Sequence, residues 1–489
     1  MASPSFDLAP RRSPTGGTPL GGSPPGPRPR QWQLRLIELL RRRLERSGAD
    51  GEDVLIHAGP GAGKTLGALL AFQRLQGEGR LSHLLVFCHR SSIAAQWRSA
   101  ASQLGLNLGD WPLASADPAS GAGLLLSYQG AARQIERLER ELSWTASARV
   151  LAVADEVHHL GIDPEEPEAA VWGQAFQRIS QGCVLRLGLS GTPFRADNLA
   201  FRAARRHSQW ERGELVERIA ADLTVEPRQL IAAGDVRPLE FRFQDGWVDH
   251  GRLGDTERSA LSVELRESWR ARNLRRAIQP GDASSIALRV LLQAQRRLDR
   301  LRAAEHPEAG GLVIARDIAH ARRITGLLEE EGDRVVLVHS QDPEAAARLQ
   351  AFRQGEAKWL VSIDMCAEGF DAPRLRVVAY LSTVVTRSRF LQAITRAVRM
   401  EAGRCGLEGI PRQASYVFAP ADPRLIAFAR TWSVAEPYQI RPAAISTDAV
   451  TAGGASGGIS LPLQALAEGV GEVIRLRGPE LPRFLSRPA

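Results

Sequence analysis

The chain has 489 residues, 44% of them apolar, which is too long for one ordinary core and predicts two or three domains. Basic residues number 63 against 55 acidic ones, a formal net charge of +8 carried almost entirely by arginine; this suits nucleic-acid phosphates, and suits equally a coding bias toward Ala, Arg, Gly and Leu. The four cysteines, Cys88, Cys183, Cys366 and Cys405, form no CxxC pair and argue against a zinc ribbon or a disulfide scaffold, and no apolar run reaches signal-peptide or transmembrane length, so a soluble cytoplasmic protein with no membrane contact is expected.

Residues 1–29 are rich in Pro, Gly and Ser and predict a disordered tail. A helix follows at "PRQWQLRLIELLRRRL", with Leu34, Ile37, Leu40 and Leu44 on one face. The apolar runs "DVLIHA", "HLLVFCH", "AGLLLSY", "RVLAVADE" and "LRLGLSGT" alternate with helical stretches and read as buried parallel strands of a doubly wound α/β domain over residues 30–195. Residues 196–307 read as an arginine-rich, mainly helical insertion broken by one extended piece, "RPLEFRFQDGW". Alternation resumes in "GGLVIARD", "RVVLVHS", "KWLVSIDM", "RVVAYLS" and "ASYVFAP", a second α/β domain over 308–430. A C-terminal extension, 431–489, contains the linker-like "TAGGASGG" and material for one helix and one strand.

"HAGPGAGKTLGALLAF" sits between a strand and a helix. Gly59, Gly61 and Gly63 let the backbone curl around phosphate oxygens, Lys64 reaches the outer phosphates, and Thr65 is placed to ligate magnesium. Ala58 and Ala62 complete the loop, Ala58 standing where the standard phosphate-loop pattern has glycine. The strand "VLAVADE" ends in Asp155 and Glu156, with His158 and His159 close behind. A metal site and the magnesium-and-water end of an ATPase both fit so short a stretch. Adjacent histidines point apart and no HExxH spacing or second cluster completes a metal shell, so the ATPase reading is favoured: Asp155 for magnesium, Glu156 for the attacking water.

The order of "AGPGAGKT" (58–65), "DEVH" (155–158), "SGTP" (190–193), "EGFDAP" (368–373) and "QAITRAVR" (392–399) resembles superfamily 2 helicases, and "SGTPFR" and "EGFDAP" resemble the DEAD/DEAH-box branch related to type III restriction subunits, over roughly residues 28–430. The resemblance implies two tandem RecA-like P-loop NTPase domains with ATP and Mg2+ in the cleft between them. It implies Arg399 as an arginine finger, an element that contributes roughly 10³ to 10⁵ in rate, with Arg396 on the γ-phosphate and Gln392 positioning water. Arg396 and Arg399, three apart, are expected on one helix face, although Thr395 and Val398 stand where the family often has glycine. Gln33 in "RQWQ" resembles the Q motif that reads adenine; an ordinary helix start is the alternative.

The resemblance further implies strand-tracking roles for Arg90 and Gln96 in "CHRSSIAAQW", Tyr128 and Gln129 in "SYQG", Arg316 in "ARDIAHA", and Glu368. It implies that Gly369 and Asp371 border the nucleotide, and that His158, Ser190 and Thr192 couple nucleotide state to strand grip. Each loop alone could be ordinary surface. Glu356 and Lys358 echo half of a nuclease signature without an upstream acid cluster and read as coincidence. The expected activity is ATP-dependent helicase or translocase action on nucleic acid, with DNA favoured over RNA. An RNA-dependent ATPase, or a motor subunit whose protein partner supplies nuclease or modification activity, are the alternatives.

Overall fold

The computed structural model describes residues 28–46, 48, 51–89, 91–111, 123–160, 169–191, 200–201, 206–211, 214–252, 255–281, 285–363, 370, 372–400, 402–435 and 473–476. The N-terminal helix Gln31–Arg46 buries Trp32, Gln33, Leu36, Ile37, Leu40 and Leu44. Leu34, expected on the apolar face, is 52% exposed. The stripe runs through positions 33, 36, 37, 40 and 44, which places 34 about a quarter turn off it.

The first sheet contains β1 (Glu52–Ala58), β2 (His83–Cys88), β3 (Leu108–Asp110), β4 (Gly123–Ser127), β5 (Val150–Asp155) and β6 (Leu185–Ser190). A hairpin follows, β7 (Arg206–Glu211) and β8 (Glu214–Ile219), and then β9 (Leu223–Val225) adds beside β1. The order is β3-β4-β2-β5-β6-β1-β9, and every pairing is parallel. Both faces are covered, so the strands read as unbroken apolar runs: all six residues of β5 are buried. Two strands, β5 and β6, stand between β1 and β2, which follow each other in sequence. Ligands of such sheets bind at that kind of reversal, beyond the carboxyl ends of the strands.

The second sheet contains β10 (Leu239–Gln244), β13 (Gly310–Ala315), β14 (Val335–Val338), β15 (Trp359–Ile363), β16 (Leu375–Leu381), β17 (Ser415–Pro420) and β18 (Val473–Leu476), with the hairpin β11 (Trp247–Arg252) and β12 (Asp255–Ala260) outside it. Its order is β14-β15-β13-β16-β17-β10-β18, parallel except for β18. The helix Ile286–Ala304 lays Val290, Leu291, Ala294, Leu298 and Leu301 into the core shared with β16 and β17.

Two parallel α/β sheets are therefore present, as tandem RecA-like domains require. The segment 196–307 is not simply a helical insertion. Its β9 completes the first sheet, its "LEFRFQ" strand β10 belongs to the second, and only the stretch from Glu267 to Ala304 is mainly helical among the described residues. Residues 1–27 and most of 431–489 lie outside the described residues.

Candidate nucleotide site and strand-facing edge

Strand register brings the motifs together. Asp155 pairs with Leu189 and His57 with Ser190, so β1, β5 and β6 end side by side. The loop after β1 turns through Gly61 (φ 77°) and Gly63 (φ 79°), left-handed angles that side chains rarely adopt, and delivers Lys64 to the start of the helix Lys64–Gly77.

Three side chains from the chain's N-terminal end hold the back of this loop. Arg30 Nη1 donates to Gly61 O (2.6 Å), Trp32 Nε1 to Ala62 O (2.9 Å) and Gln33 Nε2 to Gly63 O (3.0 Å). Three successive carbonyls, which would repel a phosphate, are thus turned away and paired. Gln33 Oε1 accepts from the Arg30 N–H (2.8 Å), so both ends of its amide are paired, one to the loop and one to the start of its own helix, and adenine recognition by Gln33 is not visible in this arrangement.

Lys64 Nζ lies 3.3 Å from Ala58 O and 3.3 Å from Glu156 Oε1. The Gly191 N–H donates to Glu156 Oε2 (3.3 Å). Glu156 takes φ 51°, a left-handed conformation that costs a non-glycine residue about 1–3 kcal/mol and is sustained only by its surroundings. Asp155 is buried at 6% exposure. Its carboxylate accepts from Trp97 Nε1 (2.8 Å) and the Glu156 N–H (3.1 Å). Burial, and then the neighbouring Glu156 charge, push the Asp155 carboxyl up to about 6, against the pull of Lys64 and the Trp97 bond. Burial and Lys64 push His57 down.

The far wall comes from the connection that leads into the second sheet and from the 3-10 turn of the second α/β unit. A Cβ on Gly61 would lie 3.0 Å from Val236 Cγ1, 3.1 Å from Val398 Cγ2 and 3.7 Å from Arg399 Cγ. The Arg399 stem therefore packs near the phosphate loop. Arg396 and Arg399 do not share a helix face as expected. The helix Arg387–Ile394 tightens to a 3-10 turn at Thr395–Val398, and Arg399 follows in extended conformation (φ −69°, ψ 149°). Arg396 Nη1 donates to Phe370 O (2.6 Å), and Gln392 is half-buried on the preceding helix.

The residues fit a nucleotide with magnesium. Asp155 and the half-buried Thr65 are hard oxygen donors of the kind magnesium takes, and a cation would relieve the carboxylate repulsion at Asp155. The space is tight around the lysine, since a Cβ on Gly191 would sit 3.1 Å from Lys64 Nζ. Gly59 is buried beside this space, as is Ser190 at the end of β6. Among the described residues no three His, Cys, Asp or Glu side chains converge as a metal shell.

The strand-facing expectations fare unevenly. Tyr128 is 1% exposed and donates to Asp155 O (2.8 Å), so its ring is core and not a surface a strand can touch. Gln129 is exposed beside it, and Gln96 is half-buried on the helix Ser91–Gln103. Arg316 pairs with Asp317 (2.6 Å) at the end of β13. Arg90, Thr192, Glu368, Gly369, Asp371 and the side chain of His158 lie outside the described residues. Sequence reasoning missed Trp97, since nothing in an amphipathic stretch announces that an indole will meet a carboxylate.

Two α/β sheets with a phosphate loop, an Asp-Glu strand end and an arginine turn on the opposite wall define the two-domain superfamily 2 helicase class. The chain carries its two domains: residues 27–195 match the family described as Type III restriction enzyme, res subunit, and residues 293–401 match Helicase conserved C-terminal domain. Domains of this kind indicate a nucleic-acid-stimulated ATPase. An uncharacterized protein of Mycobacterium tuberculosis is 32% identical over 417 residues, 83% of this chain and 63% of that protein. An uncharacterized protein of Mycobacterium leprae is 29% identical over 415 residues, covering 82% and 63%. The chain thus spans less than two thirds of the length of these relatives. The fold is shared with an HsdR-subunit fragment of a type I restriction enzyme from Vibrio vulnificus (TM-score 0.52, 17% identity, 82% of this chain and 65% of that chain). It is also shared with the DUF1998 helicase MrfA bound to DNA (TM-score 0.50, 12% identity, 80% and 48%).

Proposed function

We propose that this protein hydrolyses ATP with magnesium and couples the cycle to movement along nucleic acid, DNA being favoured over RNA. The observation that supports the reading most strongly is the meeting of Lys64, Glu156 and Gly191 at the end of the first sheet, with Arg399 stacked near Gly61 from the second. The DNA preference rests on the restriction-subunit family that matches the ATP-binding half.

In this reading Lys64 moves from Glu156 to the outer phosphates, and Thr65 and Asp155 hold magnesium. The metal supplies charge neutralisation on the phosphate oxygens. Glu156, freed from Lys64 and steadied by the Gly191 amide, orients the attacking water and takes its proton. Arg399, with Arg396 and Gln392 behind it, meets the negative charge that develops on the transferring group. Ser190 and Thr192, with His158, relay that state to the strand-facing loops carrying Arg90, Gln96, Gln129, Arg316 and Glu368, while Gly369 and Asp371 border the nucleotide. A protein partner supplying nuclease or modification chemistry and a cytoplasmic location complete the proposal.

The test is ATP hydrolysis with magnesium and no polymer, single-stranded DNA, duplex DNA or RNA, beside Glu156→Gln. Stimulation by DNA that the variant loses supports the proposal. Greater stimulation by RNA moves the substrate to RNA, and no hydrolysis under any condition overturns an autonomous motor.

A further inference from the structure

We propose that the helix Glu267–Ala277 is a phosphate-binding face that extends the nucleic-acid path of the second domain past its motif loops. The inference rests on the reading of the protein as a nucleic-acid motor and assigns a site to a segment that matches no helicase motif.

Position comes first. The helix buries Arg270, Asn273, Leu274 and Ala277, an i, i+3, i+4, i+7 stripe. Buried Arg270 pairs with Asp422, just beyond the carboxyl end of β17, and with Glu267 (2.7 Å). The Ile278 carbonyl, one residue past the helix, accepts from His320 Nε2 (2.7 Å), while His320 Nδ1 accepts from the Arg316 N–H (3.2 Å). Two anchors therefore fix the helix over the carboxyl ends of β17 and β13, beside Arg316.

The outward face is basic. Arg266, Arg272, Arg275 and Arg276 are exposed. Some exposed arginines elsewhere in the chain find a carboxylate, as Arg137 does with Glu141, Arg178 with Glu139 and Arg348 with Glu344. Arg272 and Arg275 have no acidic partner among the described residues. Instead, the guanidinium of Arg272 lies 5.3 Å from the centroid of the Trp269 ring. Arg266 lies 5.1 Å from the same ring but is already paired with Glu264 (2.9 Å), so Arg272 and Arg275 carry the free charge. A tryptophan restrains an arginine without neutralising it, which lowers the entropy lost when a phosphate arrives.

Charge, restraint and placement together point to the phosphodiester backbone of a single strand, bound without sequence preference. From the N-cap Arg266 to Arg276 the chain rises about 15 Å, the reach of roughly two to three phosphates of an extended single strand.

The test measures binding of labelled oligo-dT and oligo-rU by fluorescence anisotropy across a salt series. The variants are the doubles R272Q/R275Q and R272K/R275K, with Trp269→Leu, all checked for an unchanged unfolding midpoint. Loss of two phosphate contacts lowers the slope of log K against log salt by about 1.4 and weakens binding about tenfold at moderate salt in the Gln double. The Lys double keeps the slope, and Trp269→Leu weakens binding with the slope kept. A Gln double with the parent's slope and affinity overturns the inference while leaving the motor reading intact. A parent that binds neither strand overturns both.

Discussion

Trp97 donates its indole N–H to the Asp155 carboxylate across 2.8 Å, and both groups are buried. Trp97 stands on the helix that begins at Ser91, directly after the strand-facing loop that follows β2. One hydrogen bond therefore joins the element proposed to grip a strand to the carboxylate proposed to hold magnesium. A hydrogen bond to a charged group is worth about 1.5–3 kcal/mol, enough to set the carboxylate's orientation.

Trp97→Phe keeps most of the buried volume and removes the donor. The concentration of magnesium needed for half-maximal hydrolysis is expected to rise about three- to tenfold, with the rate at saturating magnesium largely kept. Manganese binding followed by paramagnetic resonance should weaken by a similar factor. An unchanged metal requirement would show that the indole serves packing alone.

Lys64 is one of two lysines among 63 basic residues. Arginine is the ordinary cation of this chain, yet its planar fork is too wide for a position whose ammonium contacts Ala58 O and Glu156 and nearly touches Gly191. Lys64→Arg is expected to weaken nucleotide binding at least about tenfold, or about 1.4 kcal/mol, by titration calorimetry.

Gln33 offers a sharper discrimination. If its amide supports the loop carbonyl of Gly63, Gln33→Ala should weaken ATP and GTP by the same factor, because both share the phosphates. If it reads adenine, ATP alone should suffer. The paired geometry predicts the first outcome, read as KM for the two nucleotides.

His306 is 1% exposed, and neither ring nitrogen has a hydrogen-bond partner among the described residues. Burial, and then Arg404, Arg376 and Arg237, push it down to about 3 from 6.5. Above 6.5 the ring is neutral folded and unfolded, and its contribution is complete. As pH falls below 6.5 the unfolded chain takes a proton that the folded one refuses, so stability declines toward pH 3, by at most about 1.4 kcal/mol per unit. Urea midpoints at neutral pH and about pH 5 should differ less in His306→Leu than in the parent.

The strands that carry the motifs were legible because each is buried on both faces and so appears as an unbroken apolar run. β3 and β9, three residues each, are too short for that signal. "LEFRFQ" was legible as extended but not as a member of the second sheet, since partner choice lies in the register of β10 against β17 and not in the strand's own residues. The phosphate loop and the Asp-Glu pair were legible because local chemistry dictates them. Tyr128, expected to touch a strand, is buried because it opens the helix Tyr128–Arg133 with its ring in the core, an orientation that the stretch "SYQG" alone does not reveal. The expected helix of Arg396 and Arg399 gave way to a 3-10 turn, a change of hydrogen-bond register that i, i+3 spacing cannot distinguish.

The chain crosses from the first sheet to the second through residues 226–238, and Val236 lies where a Cβ on Gly61 would meet it, while the Arg237 N–H donates to Val398 O (2.8 Å). The crossing sits at the seam between the phosphate loop and the arginine turn. In the proposed cycle, a fulcrum placed there would give the molecule a gear ratio. A rotation that shifts atoms by a fraction of an ångström beside the phosphates would sweep a longer arc at β14, the edge of the second sheet farthest in strand order from the crossing strand β10. If the proposed motor cycle holds, a short stroke beside the nucleotide and a longer one at that edge would follow from where the polypeptide crosses.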